Sequence, residues 1–128
     1  MFIRLCSICF FIFLTIPVQA ESYFLQSGAQ RVKIEFFSIE KVLVNDFCKE
    51  KISQCKALSI LKNPPAFPKK LNQGMLSSEA QAYCKYLKGV PLRLINEKEE
   101  QAPFCAFEDK TMISSWDLFN THSQKAKK

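Results

Sequence analysis

Four cysteines, Cys48, Cys55, Cys84 and Cys105, are the residues best suited to chemistry once Cys6 and Cys9 are set aside with the apolar N-terminal run. An even number of thiols in a small exported chain favours disulfides over metal ligation. Four cysteines allow three pairings. We favour Cys48–Cys55 and Cys84–Cys105, because each pair falls within one local stretch of chain. In the chain-entropy account the first closes a loop worth about 2.5 kcal/mol and the second about 3 kcal/mol. Zinc is disfavoured: none of the four forms a Cys-x-x-Cys pair, and the lone histidine, His122, stands near the C-terminus. No metal or other cofactor is expected.

His122 and Asp117 could form an acid–base pair, but each would need a rigid supporting shell. His122 adjoins the polar tail 123–128, where fraying is expected. No Gly-x-Ser-x-Gly, His-Glu-x-x-His or phosphate loop occurs, and oxidised thiols are not nucleophiles. The chain therefore reads as a non-enzyme with no catalytic residues. Its candidate interaction residues are Trp116, Glu99 and Glu100. Trp116 sits beside a helix start, where packing into a small core is favoured over anchoring a partner or a membrane interface. The run Glu97-Lys98-Glu99-Glu100 reads as a solvated turn, with a protease-inhibitor loop as the sharper alternative. Phe24, Phe36, Phe37, Phe47 and Phe67 read mainly as core, and any exposed remainder as a contact surface.

The elements that must hold these residues begin after an export signal. Residues 1–20 carry Arg4, an apolar run over 5–16, Pro17, and the short side chains of Val18-Gln19-Ala20 at a cleavage position. The run is too short for a spanning helix. It predicts a periplasmic or secreted protein with no transmembrane segment after leader removal. The formal charge of +6 loses only Arg4 with the leader. Scattered charge of this kind serves solubility and could favour anionic partners such as phospholipid headgroups or cell-wall polymers. Nucleic acid is not expected, because no basic run is interleaved with stacking aromatics.

Residues 21–62 read as a β-rich unit. Val32, Ile34 and Phe36 alternate with charged residues, Val42-Leu43-Val44 follows, and Cys48 and Cys55 would staple the base of a hairpin whose return strand starts at Leu58, Ile60 and Leu61. A helix from Ser38 onward is the competing pattern. Residues 63–76, rich in proline and lysine, read as a linker. Residues 77–122 read as helix, β-hairpin, helix. Ser78 with Gln81 and Ser114 with Asp117 suggest capping boxes, Ile113 and Leu118 a hydrophobic staple, and Gly89 a left-handed helix end. The fold class is α+β, a β-rich hairpin unit plus a helix–hairpin–helix unit, both disulfide-stapled.

The segments Ala82-Tyr83-Cys84, Lys88-Gly89, Phe104-Cys105-Ala106-Phe107-Glu108-Asp109 and Ser115-Trp116-Asp117-Leu118-Phe119 together resemble a small family of exported bacterial proteins and lipoproteins. That family is labelled haemolysin and is otherwise a domain of unknown function. Its pattern is a Tyr-Cys-x-x-x-Gly-Gly helix end, two strands, a Cys-x-Phe-x-Asp-Gly turn and an acidic-Trp-aromatic segment, here spread over residues 77–122. Lys88 and Lys110 stand where the pattern has glycine. A further cysteine pair of many members is missing around Met112 and Asn120. The resemblance implies no catalytic residue and no ligand.

These readings lead to a non-enzymatic exported binding or structural module, with an unknown protein or cell-envelope partner. A membrane-active, toxin-like protein and an inhibitor of an exported enzyme are the alternatives. No long, strongly amphipathic helix is visible to favour membrane activity.

Overall fold

The computed structural model describes residues 20–76 and 78–127. The expected leader lies outside the described residues, Ala20 excepted. Six antiparallel strands form the frame: β1 (Glu21–Ser27), β2 (Gln30–Ile39), β3 (Val42–Asn45), β4 (Val90–Asn96), β5 (Gln101–Ala106) and β6 (Met112–Ser114). They close into a barrel in the order β1-β2-β3-β6-β5-β4. Each three-strand meander is local in sequence. Closure depends on long-range pairing, Val44 opposite Ile113 and Tyr23-Phe24 opposite Asn96-Ile95. The barrel thus draws strands from both halves of the chain.

Strand period decides which side chains fill it. Phe36, Leu94 and Phe104 are buried together with Tyr23, Leu25, Ile34, Leu43, Leu92, Ala102 and Met112 around them. The Phe36 and Phe104 rings lie 4.4 Å apart, and Tyr23 meets both edge-on. The alternate residues Phe37, Val42, Val44, Cys105 and Ile113 join a second core that includes residues of the helices. Those helices are α1 (Phe47–Glu50), α2 (Lys56–Lys62), α3 (Glu79–Tyr86) and α4 (Ser115–Ala126), with a 3-10 turn at Ile52–Gln54. Over residues 38–45 the strand pattern prevails over the competing helix.

Several expectations are corrected. Leu58, Ile60 and Leu61 do not begin a return strand; they lie in α2, where Ala57, Leu58 and Leu61 make one buried helical face. Cys48 and Cys55 accordingly bridge α1 to the residue just before α2, not a hairpin base, at a Cα separation of 5.2 Å. Cys84–Cys105 ties α3 to β5 at 5.5 Å. Strands β1 and β6 were not anticipated. Helix α4 runs on through the start of the polar tail, and His122 within it is 2% exposed, not frayed. Gly89 is not the left-handed residue of the α3 end. Lys88 is, at φ +65°, with the hydrogen bonds Gly89 N–H to Cys84 O and Lys88 N–H to Lys85 O that define a Schellman end.

The N-terminus of α2 shows how distant residues support local structure. Its cap position, Cys55, is held in the disulfide and offers no capping side chain. The first two N–H groups donate instead to the β5–β6 turn, Lys56 to Asp109 Oδ2 at 2.9 Å and Ala57 to Thr111 Oγ1 at 3.1 Å. Asp109 also accepts from the Thr111 hydroxyl and N–H. Burial pushes the Asp109 carboxyl up, but these hydrogen bonds outweigh it and leave the pKa lowered. Asp109→Ala is expected to cost about 1–2 kcal/mol, the worth of a lost N-cap. Glu108→Ala should change little, since Glu108 reaches only Lys56 Nζ, at 3.8 Å, on the surface. Paired urea melts of the two variants check this.

Candidate functional site

Trp116 occupies the first turn of α4, and it is 42% exposed. The expected packing into the core does not occur. Residue 115 takes the buried direction at this helix start: Ser115 is fully buried and donates to Gln81 Oε1 at 2.9 Å. A one-residue step of about 100° then turns Trp116 outward. Its ring contacts Phe119 edge-on at 5.9 Å.

Outside the barrel wall, Trp116 lines a shallow groove of about 250 Å3 with Ser78, Arg93, Gln101, Ala102 and Pro103. Arg93 and Pro103 are cross-strand partners on β4 and β5. The Arg93 side chain is exposed, and no carboxylate among the described residues lies within salt-bridge distance of it. Ser78 caps α3 by accepting from Gln81 N–H at 3.2 Å. An aromatic face, a guanidinium, a proline and two polar side chains thus share one open surface. Such a surface can stack on a planar group and bind an anionic or carbonyl oxygen. Exposure is the only sign by which Trp116 is marked out, and neither periodicity nor composition shows it. Nothing in the spacing around Arg93, a single charged residue between Leu92 and Leu94, marks it either.

The other candidates lie elsewhere. Glu99 is at φ +63° in the β4–β5 turn. Its carboxylate takes a bidentate pair from Arg31, both distances 2.8 Å, across to the β1–β2 hairpin. The Arg31 hydrogen bond holds the Glu99 carboxyl below its ordinary range and raises the guanidinium in return. Asn96 Oδ1 accepts from the N–H groups of Lys98 and Glu100, which fixes the turn further. Glu100 lines a separate depression of about 390 Å3 with Ala20, Glu21, Ser22, Tyr23, Asn96, Glu97 and Lys98. There the Tyr23 hydroxyl donates to Glu21, and burial followed by the Glu21 charge raises its pKa to about 12.

His122 and Asp117 do not act on each other. Asp117 accepts from Leu43 N–H at 3.1 Å and so ties α4 to β3. His122 Nε2 donates to Leu61 O at 3.0 Å, and Nδ1 accepts from the Tyr83 hydroxyl. Among the described residues, no cluster of three or more His, Cys, Asp or Glu has a metal-holding arrangement.

No family model, curated protein or solved structure matches the chain.

Proposed function

We propose that the protein is a non-enzymatic binding module, exported to the periplasm or the medium, which engages a protein or envelope partner through Trp116 and Arg93. The observation that carries this reading is the solvent exposure of the single tryptophan beside an arginine that has no carboxylate partner among the described residues. Tryptophan and arginine dominate binding hot spots because they bury large area with directed polar contacts. The two disulfides suit an oxidising compartment, and no described helix is long and apolar enough to cross a membrane.

The likeness of residues 77–122 to the haemolysin-labelled family gains support from backbone geometry. Lys88 and Lys110, which stand in place of the pattern's glycines, both have left-handed φ, +65° and +67°. Glycine is the residue such positions favour. We take 77–122 as the family-like unit and 21–62 as the β-rich unit that accompanies it.

The test is capture from envelope extract on immobilised oxidised protein. A partner retained by the parent should be lost from Trp116→Ala with affinity down roughly 30-fold or more, the scale of a hot-spot residue. The melting temperature should stay nearly unchanged, since the side chain is half exposed. Retention by the variant equal to that of the parent, or turnover of a substrate abolished by one side-chain change, would overturn the reading.

A further inference from the structure

A second surface is formed where residues 63–76 lie against α3. The Tyr86 hydroxyl donates to Ala66 O at 2.9 Å, and Phe67 packs on Tyr83 and Phe119 with ring centroids 5.2 and 5.7 Å away. The segment has no helix or strand, yet it is held in place. Tyr86, 46% exposed, is a shared wall of two depressions. One, of about 380 Å3, is lined by Lys70, Leu71, Asn72, Ala82 and Lys85. The other, of about 340 Å3, is lined by Ile60, Asn63, Pro65, Leu87 and Lys88.

Lys70, Lys85 and Lys88 are all exposed. The ion pairs among the described residues use Arg31, Lys33, Lys56 and Lys62, and none involves these three lysines. Neither depression has an acidic lining residue, and Glu79 lines an adjoining one together with Lys69 and Lys70, so cations are in excess.

We infer that this face attaches the protein to an anionic lipid bilayer, with headgroup phosphates against Lys70, Lys85 and Lys88 and the glycerol–acyl boundary against Tyr86, Ile60, Pro65 and Leu87. Charge complementarity selects an anionic partner. Ile60 and Leu87 are only partly covered by the core and Pro65 is exposed, so the apolar depression beside the lysines selects a bilayer over a purely polar polyanion, which would leave their outer faces in water. Tyrosine prefers the interfacial layer for the same reason, having an apolar ring and a polar tip. The surface shares no lining residue with the Trp116 groove, so either proposal can fail without the other.

The experiment is co-sedimentation of the purified oxidised protein with vesicles of phosphatidylcholine alone, or mixed in equal parts with phosphatidylglycerol. Binding is expected only to the anionic vesicles, and raised salt should abolish it. Lys70→Gln/Lys85→Gln should weaken partitioning about 30-fold, since each lysine near an anionic surface contributes roughly a factor of five. Lys49→Gln/Lys51→Gln removes the same charge from exposed positions that line neither depression and should bind like the parent. Absence of binding by the parent at low salt, or equal weakening by both double variants, would overturn the assignment. So would loss of binding in inorganic phosphate but not in chloride of equal ionic strength, which would indicate a site for the free ion.

Discussion

Gly89→Ala is expected to destabilise the protein by roughly 3 kcal/mol, the upper end of what overpacking a filled core costs, while Lys88→Gly next to it stabilises by about 1 kcal/mol. The opposite signs follow from different jobs at adjacent positions. A Cβ placed on Gly89 would overlap Cys105 Sγ and meet Cys84 Sγ at 3.0 Å and Phe107 Cε1 at 3.2 Å. Both sulfurs belong to one buried disulfide, and both cysteines are fully buried, so neither can swing aside as an exposed side chain would. Accommodation requires the α3–β4 connection to move away from β5. Lys88 has no such constraint. It carries a Cβ at φ +65°, a conformation that costs an L-residue about 1–2 kcal/mol. Glycine removes that strain and returns part of the gain as extra chain entropy in the unfolded state. Urea unfolding of the two variants under oxidising conditions measures both. A Gly89→Ala protein as stable as the parent would show that the disulfide does not occupy the space beside residue 89.

His122→Ala is expected to cost about 3 kcal/mol or more, and the parent should lose stability when acidified from about pH 6.5. The histidine joins α4 to α2 through Leu61 O and to α3 through Tyr83. Its removal leaves a cavity, a buried hydroxyl and a buried carbonyl without partners, each a named source of large destabilisation. The hydrogen bond to Leu61 O requires a proton on Nε2, and in the neutral imidazole that burial favours, Nδ1 is then the acceptor from Tyr83. Burial is the main cause that lowers its pKa; the carbonyls of Leu61 and Ile60 pull it upward, and Lys125 pushes it down again. The unfolded chain therefore takes up a proton before the folded chain does. The stabilisation is complete above about pH 6.5 and drains away as pH falls toward the depressed folded value. The melting temperature should fall over this range in the parent and stay flat in His122→Gln, which keeps a donor and an acceptor without a titration. The Asp109 contribution is lost as pH falls through the ordinary carboxylate range toward its depressed folded value. A parent melting temperature that does not change between about pH 7.5 and pH 5 would contradict the neutral buried imidazole.

Much of the local structure is legible in the residues. Period two in Val32, Ile34 and Phe36 marks β2, the i, i+3, i+4, i+7 pattern of Ala80, Tyr83, Cys84 and Leu87 marks α3, and local cysteine spacing gives both bridges. The capping serines act as expected, Ser78 on Gln81 N–H and Ser114 on Asp117 N–H. The reciprocal half of each box does not form. Gln81 donates to Leu92 O and accepts from Ser115, and Asp117 accepts from Leu43 N–H. Short apolar runs were less secure. Leu58, Ile60 and Leu61 fit a strand or a helix equally well, and Asp109 and Thr111, more than fifty residues away, cap the helix. The exposed Trp116 was hidden for a similar reason, since the buried direction at the α4 start depends on where Gln81 stands.

By itself, then, the order of residues determined β2, α3, the serine-capped starts of α3 and α4, and the cysteine pairs, because each rests on interactions between neighbours in the chain. Barrel closure, the distant capping of α2, the burial of His122 and the outward turn of Trp116 were decided by tertiary structure. Each depends on groups distant in the chain meeting in space, and a hydrogen-bonding side chain goes to whichever partner the packed fold brings within reach.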